Sequence, residues 1–553
     1  MLLSLFPSGA AGAWQITEFC PDPYLADDTD EFLVLEGNGP LDGYAISGPR
    51  GGFRFPGGTE GSGRITVARS GTAFKQSRGI NPDWEWIDTE PSIPDVVSGD
   101  LLRLSNTNGA LTLSLEGCIV QEVSWPRDVV CREGQIHFIE GGVWDPRPLM
   151  IGQSRFSPIT CRDVTLDAFL SPESSMEAYA TVVNAAKSQI LLNVYEFSSI
   201  AMAESLIQAK ERGVEVIVLI EGGPVGGVSA EESYVCRMMG GAGIPVWQMT
   251  NTGTGHAPYR YNHAKYIVAD GVDALVTSEN FGENGFPSKG AFGNRGWGVV
   301  IHDPGTAGYF RNVFFSDLNG PGIAPMRDKA GIPEESGGEV SSSADSHPSR
   351  FYGANVTPVL SPDSSILIRD IIGGAREEIL VEQAYITNGS DGEWNPYLAD
   401  VIDASRRGVR ARVLLDAYWF SVDGTEDNDE MAATINRLAR SEGLPIEARC
   451  SQPIGGNVEK IHDKGMIIDG QRVLVSSINW NTNSPSFNRE AGVIIDHEGV
   501  GSFFKDAFET DWTAVGPANG GSGGADGPDS VKIGAAAGVL ALLFVLYWWR
   551  QCH

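Results

Sequence analysis

Five polar residues recur in this chain at one spacing in two places. His263, Lys265, Asp270, Ser278 and Asn280 form the first set. His462, Lys464, Asp469, Ser477 and Asn479 form the second, each displaced by 199 residues. A lone His-x-Lys turns up by chance as surface charge, but five positions kept in register twice do not. Imidazole serves as a nucleophile or as a general acid and base. Lysine and asparagine side chains can clamp an anion and stabilise charge that develops on it.

The local pattern predicts how these groups are positioned. From His263 to Ala269 the chain reads as a β-strand, so His263 and Lys265, two apart, project from one face. Asp270-Gly271 and Asp469-Gly470 are turn dipeptides, and the aspartates are read as structural. A second apolar run (Ala274 to Val276, Val473 to Val475) returns Ser278 and Asn280, or Ser477 and Asn479, beside the histidine and lysine. Each copy then supplies half of a polar pocket. The repeat extends outward from the hairpins. Ser171-Pro172-Glu173 and Ser361-Pro362-Asp363 read as helix starts with serine as N-cap. Buried strands follow at Ile190–Tyr195 and Ile379–Tyr385, then helices closing at Gly213 and Gly408. Alternating β and α with near-continuous apolar strands predicts α/β halves with outer helices.

These residues resemble the HKD motif of the phospholipase D superfamily, His-x-Lys-x4-Asp with a downstream Ser-x-Asn. The resemblance implies one active site built across a pseudo-twofold axis, a metal-independent phosphodiesterase and a phosphohistidine intermediate, without a cofactor. It implies His263 as nucleophile and His462 as acid and base, with Lys265, Lys464, Asn280 and Asn479 on the phosphate. Ser278, Ser477, Asp270 and Asp469 are supporting residues. It also implies a downstream carboxylate that orients a histidine. Glu490 in Asn488-Arg489-Glu490 fits, whereas Gly296 stands at that place in Asn294-Arg295-Gly296. Glu490 beside His462 would make that imidazole the better oriented one; Glu279 or Glu283 is a stand-in for the missing carboxylate. His256 and His302 have no counterparts in the second copy and read as loop or surface residues. Trp297, Trp394, Tyr418, Trp419 and Trp480 are split between core and substrate groove, with core as the default.

The 553 residues suffice for several domains, and 42% apolar with 20% charged residues fit globular ones. A net charge of −31 argues against a broad basic face for double-stranded DNA. None of the seven cysteines forms a Cys-x-x-Cys pair, so zinc has no sequence support. Residues 1–13 are apolar and end Ala-Gly-Ala, like the remnant of a signal peptide. Residues 14–146 carry short β runs between Gly, Asn and Pro clusters, among them Ile16–Phe19, Glu31–Leu35, Leu101–Ser105 and Ile119–Val123. Their order resembles a lamin-tail domain, an immunoglobulin-like sandwich implying a binding or spacer module; Glu18 and Glu31 read as surface or turn residues. Half one is placed at 147–325, a flexible linker at 326–350, half two at 351–515 and a Gly-rich linker at 516–530. Residues 531–549 read as a transmembrane helix with Trp and Tyr at one end, leaving a tail at 550–553.

The expectation is therefore multidomain: an all-β sandwich, two pseudo-twofold α/β halves, and a single-pass anchor. The catalytic unit is expected to be monomeric, with its domains outside the cell membrane. Phospholipid head groups are the favoured substrate. A nuclease acting on DNA or RNA is the alternative, and a cell-surface binding protein with a decayed site comes third.

Overall fold

The computed structural model describes residues 3–5, 13–125, 132–140, 142–252, 255–288, 291–326, 347–389, 392–418, 421–422, 427–451 and 457–514. The expected anchor at 531–549, both Gly-rich linker and tail, Trp419 and most of 326–350 lie outside them. Among the described residues no helix is long and apolar enough to cross a membrane.

The N-terminal region packs a six-stranded sheet on a seven-stranded one. Inward positions of alternating strands, such as Leu33, Leu35, Leu111 and Leu113, join Trp14, Phe19 and Trp125 in one core. The expected strand Leu101–Ser105 is not a strand; Leu102 and Leu104 enter the core from an irregular segment whose Leu102 carbonyl accepts a bond from Trp86 Nε1. Glu18 and Glu31 are not surface residues. Glu18 is buried between Arg64 and Arg155, at 2.6 and 3.0 Å. Burial pushes the Glu31 carboxyl up to about 8.

The rest is organised on one sixteen-stranded sheet that runs through both halves. At its middle, Cys161–Ser171 pairs antiparallel with Ser349–Ser361, and each half fans out from that pair. In each half the hairpin sits next to a buried strand. Lys265–Ala269 pairs with Gln189–Val194 and Asp273–Thr277, and Lys464–Ile468 pairs with Glu378–Gln383 and Arg472–Ser476. Strands such as Gln189–Val194 are buried on both faces, as strands covered by helices on each side must be. Helices Pro304–Leu318 and Glu498–Ala514 bury Phe310, Phe314, Phe504 and Phe508 in a core shared by the halves. Outer helices close a separate core on each half.

The expected helix starts at Ser171 and Ser361 are displaced. Both serines remain the last residues of the central strands, each followed by a cis proline bond, and the helices begin at Ser175 and Ile366. The strand pairing of Ser171 with Gly296 and of Ser361 with Glu490 outcompetes capping there.

Candidate active site

Each hairpin turns through an aspartate in the left-handed region, Asp270 and Asp469, both at φ 52°, followed by a glycine at φ 68° or 66°. Two successive positive φ values are what the central residues of a type I′ turn need, and one further residue, Val272 or Gln471, completes each loop before the pairing resumes. The aspartate carboxylates do not face the pocket. Asp270 accepts from the Lys187, Ser188 and Gln189 amides at 2.8–2.9 Å, and Asp469 accepts from Arg376, Glu377 and Glu378. They tie the turn to the start of the adjacent buried strand.

The histidines lie just ahead of the hairpin strands, held by bonds that cross between halves. His263 N donates to Arg489 O at 2.8 Å, and His462 N donates to Arg295 O at 2.9 Å. The side chains cross over as well. His263 Nδ1 lies 2.7 Å from Glu490 Oε2. His462 Nδ1 lies 3.2 Å from Glu279 Oε1. Glu490 therefore serves the histidine of the other half, which corrects the expectation that it sits beside His462. The cause is the pairing of the Glu490 strand start with the segment leading to His263.

Glu279 fills the place that Gly296 leaves empty. A Cβ at position 296 would stand 2.3 Å from Glu279 Oε1. In the second half the arrangement is inverted: Glu490 occupies the position equivalent to Gly296, and Ile478 the position equivalent to Glu279, buried in the outer core. The two carboxylates keep matching neighbours. Asn294 donates to Glu279 at 2.9 Å and Asn488 to Glu490 at 3.0 Å, and Ser278 and Ser477 donate to the same pair at 3.3 and 2.6 Å. The two serines thus act on the orienting carboxylates. Glu283 makes no bond to either imidazole among the described residues.

Burial, with the nearby lysines, pushes His263 down to about 4 and His462 down to about 3. Both imidazoles are neutral near pH 7, so the proton on each sits on Nδ1 against a carboxylate and Nε2 carries a lone pair. Burial raises Glu279, but the His462 imidazole beside it, through its charge when protonated and through its hydrogen bond, and the Lys464 charge outweigh that and hold it below the ordinary carboxylate range. Burial also lowers Lys265 to about 7 and Lys464 to about 8, each further lowered by a neighbouring lysine charge. Lys265 Nζ donates to His263 O at 2.9 Å, and Lys464 Nζ donates to His462 O. Asn280 Nδ2 donates to Glu196 at 2.8 Å, and the Oδ1 atoms of Asn280 and Asn479 are buried without a protein partner among the described residues.

Sequence reading missed Tyr195, Glu196 and Asp463. The Tyr195 ring lies 4.6 Å from the His263 ring and 5.3 Å from Lys265 Nζ. Its signal was its place just past a buried strand end that pairs with the hairpin. Burial raises Glu196, and it lies close enough to Lys265 and Lys460 for their charges to oppose that rise. Asp463, between His462 and Lys464, is buried and pushed up to about 8. Trp297 and Trp480 are fully buried core, Trp394 is partly buried and Tyr418 half-buried. His256 is exposed, and His302 bridges Asp273 and Asp167.

A doubled α/β body with paired histidines and lysines at its pseudo-twofold axis defines a recognisable class. The chain belongs to the family described as "Cardiolipin synthase, PLD-like domain", which matches residues 179–318 and 368–512, just over half of its length. The mitochondrial cardiolipin hydrolase of Xenopus tropicalis is 30% identical over 113 residues, covering 20% of this chain and 47% of the relative. That of Homo sapiens is 29% identical over 112 residues, with 20% and 38% coverage. The chain thus spans about half or less of the length of these relatives. Among solved structures, the phospholipase D family member Nuc from Salmonella typhimurium has 22% identity and a TM-score of 0.25, covering 31% of this chain and 99% of that one. Phosphatidylserine synthase of Haemophilus influenzae has 13% identity and a TM-score of 0.46, covering 63% and 85%.

Proposed function

We propose that the chain is a metal-independent phosphodiesterase of the phospholipase D type that works through a phosphohistidine. The observation that carries this reading is the pair of histidines, each with Nδ1 on a buried carboxylate and each followed two residues on by a buried lysine. In the first step His263 Nε2 attacks phosphorus, the P–O bond to the leaving alcohol breaks, and His462 Nε2–H protonates the departing oxygen. In the second step His462 takes a proton from water or an acceptor alcohol, whose oxygen displaces the imidazole from phosphorus. The shorter bond from Glu490 suits His263 to the nucleophilic role. His462 needs a proton that the empty site disfavours. Burial lowers its pKa most and the lysine charges add to that; a bound phosphodiester offsets the charges, so substrate binding moves the pKa upward. Lys265, Lys464, Asn280 and Asn479 hold the phosphoryl oxygens in this scheme.

Phospholipid head groups are the substrate reading carried over from the sequence, supported by the proposed anchor at 531–549 and by the names of the curated relatives. A polynucleotide is the second reading, favoured by a cleft described below. We read the N-terminal sheets as a lamin-tail-like module, and the cell membrane as the site of a monomeric catalytic unit with its domains outside. Intact residues in both halves speak against a decayed binding protein.

The test uses the full chain in detergent with EDTA present. Phosphatidylcholine vesicles with ethanol form one arm and single-stranded DNA the other. Phosphatidylethanol or cleaved DNA from wild type, lost in His263→Ala and His462→Ala, is the expected result. Rapid quenching of His462→Ala should accumulate an acid-labile phosphoryl adduct on His263. An adduct on His462 in the converse variant alone reverses the two roles, and no turnover of either substrate overturns the reading.

A further inference from the structure

A second cavity lies where the N-terminal sandwich meets the first half, with a volume of about 530 Å³. The sandwich contributes Tyr24, Arg132 and Glu133 to it, the first half His256, Arg260 and Tyr261, and the second half Asn483 and Phe487. Its walls are mixed in chemistry: two guanidinium groups, several rings and amide or hydroxyl groups from Thr250, Asn251 and Asn483. Arg132 lies over the Phe487 ring at 4.7 Å, and Arg260 donates to Asn483 at 3.0 Å. Neither arginine has a carboxylate within ion-pair distance among the described residues, although the chain carries 71 acidic residues against 40 basic ones. The two are near enough for the charge of Arg260 to add to burial in lowering Arg132. Holding two like charges together, brought from separate domains, is unfavourable unless an anion comes between them. Glu133 also lines the cavity but makes no ion pair with either arginine among the described residues; its charge acts on Asp22 and Tyr24. Burial raises Glu221, which also lines the cleft, to about 7, and it is committed to the Asn262 and Gly223 amides.

The cavity connects to the chemistry. Arg260 precedes His263 by three residues, at most about 10 Å of chain. Tyr261 lines the cavity and stands 6.1 Å from Tyr195, whose ring faces His263. His256 is exposed and stacked on Tyr24 at 3.9 Å, so a ring from the first half is already paired with one from the sandwich.

We propose that this cleft is a second phosphate subsite, in which Arg132 of the sandwich and Arg260 bind a neighbouring phosphate of a single-stranded polynucleotide whose scissile diester lies at His263. The proposal rests on the phosphodiesterase reading and names its substrate class. Rings beside paired cations suit a strand whose bases stack while its backbone is neutralised. Met150, Met249, Ala257 and Pro258 also line the cleft, so an acyl chain is the competing occupant that the vesicle arm of the test addresses. The sandwich then does more than space or anchor the enzyme: it completes the substrate groove.

The test measures equilibrium binding, which needs no turnover. The full chain carrying His263→Ala is titrated with a fluorescent single-stranded 12-nucleotide DNA and, separately, with phosphatidylcholine vesicles containing cardiolipin. Arg132→Ala and Arg260→Ala are each expected to weaken oligonucleotide binding about tenfold. Each should also make the slope of log affinity against log salt shallower by about 0.7. Arg132→Lys should restore most of the affinity, which a collapsed domain interface would not allow. Unchanged affinity and slope in the double variant overturn the proposal, as does absence of oligonucleotide binding. Vesicle binding that depends on both arginines while oligonucleotide binding does not reassigns the cleft to lipid phosphate and overturns the polynucleotide. If the oligonucleotide binds through both arginines but wild type cleaves no diester, the activity reading fails and the cleft stands.

Discussion

Glu279 and Gly296 are best understood together. One carboxylate has moved along neighbouring strands, and the glycine is the space it needs. Glu279→Gln should lower kcat on the order of 10²-fold, the lower range for a positioned acid–base group. Gly296→Ala should produce a similar loss by displacing the same carboxylate. The double change Glu279→Ile with Gly296→Glu copies the other half and should recover activity above either single variant. Steady-state rates on one diester check all of these, and strict additivity of the losses would contradict the exchange. The lysines set the pH profile. As pH rises through about 7 and 8, Lys265 and Lys464 lose charge and their hold on phosphate. As pH falls toward about 4, His263 gains a proton and stops acting as a nucleophile. The free-enzyme kcat/KM should therefore show no flat plateau: it declines as pH rises because His462 must take up a proton on binding, more steeply once the lysines discharge, while below about 4 protonated His263 lowers it. Stability runs differently. The folded lysine values lie below the unfolded ones, so the unfolded chain binds more protons between about 7 and 10.5, and stability rises with pH across that window. Lys265→Met should accordingly abolish turnover yet raise the melting temperature near pH 7.

At the level of strands and turns, much was legible because periodicity and turn chemistry are local. The hairpins, the aspartates at their turns and the buried strands beside them follow from spacing alone. Asp469→Ala strips three amides of their acceptor and should cost about 1–2 kcal/mol of stability, read by denaturant unfolding. What was not legible came from pairing between distant segments. Ser171 and Ser361 look like caps, yet they end the central strands. Leu101–Ser105 alternates like a strand, yet it reaches the core from an irregular segment. The residue types of the site were readable because both copies carry them. Which carboxylate meets which histidine was not, because that depends on how one half lies against the other. Arg132 and Tyr24 carry no signal at all until the sandwich is docked.

Across the whole molecule, two buried arginines join the halves. Arg489 meets Asp317 and Asp363 at 2.8 and 2.9 Å, and Arg295 meets Asp511 and Glu173 at 2.6 and 2.7 Å. Arg489→Met would leave Asp317 and Asp363 buried without their cation, a change that typically costs about 3–5 kcal/mol. Calorimetry should find both halves destabilised together, since each arginine reaches a helix of the other half. The crossed histidine–carboxylate pairs have a further consequence, one of inheritance. In an assembly of two identical subunits, moving the carboxylate from one strand to the next alters both sites of pairing at once, because one gene segment encodes both. In a chain that holds the repeat twice, one copy can relocate its glutamate while the other keeps its own. Fusion thus frees each half to change, yet keeps each answerable to the other.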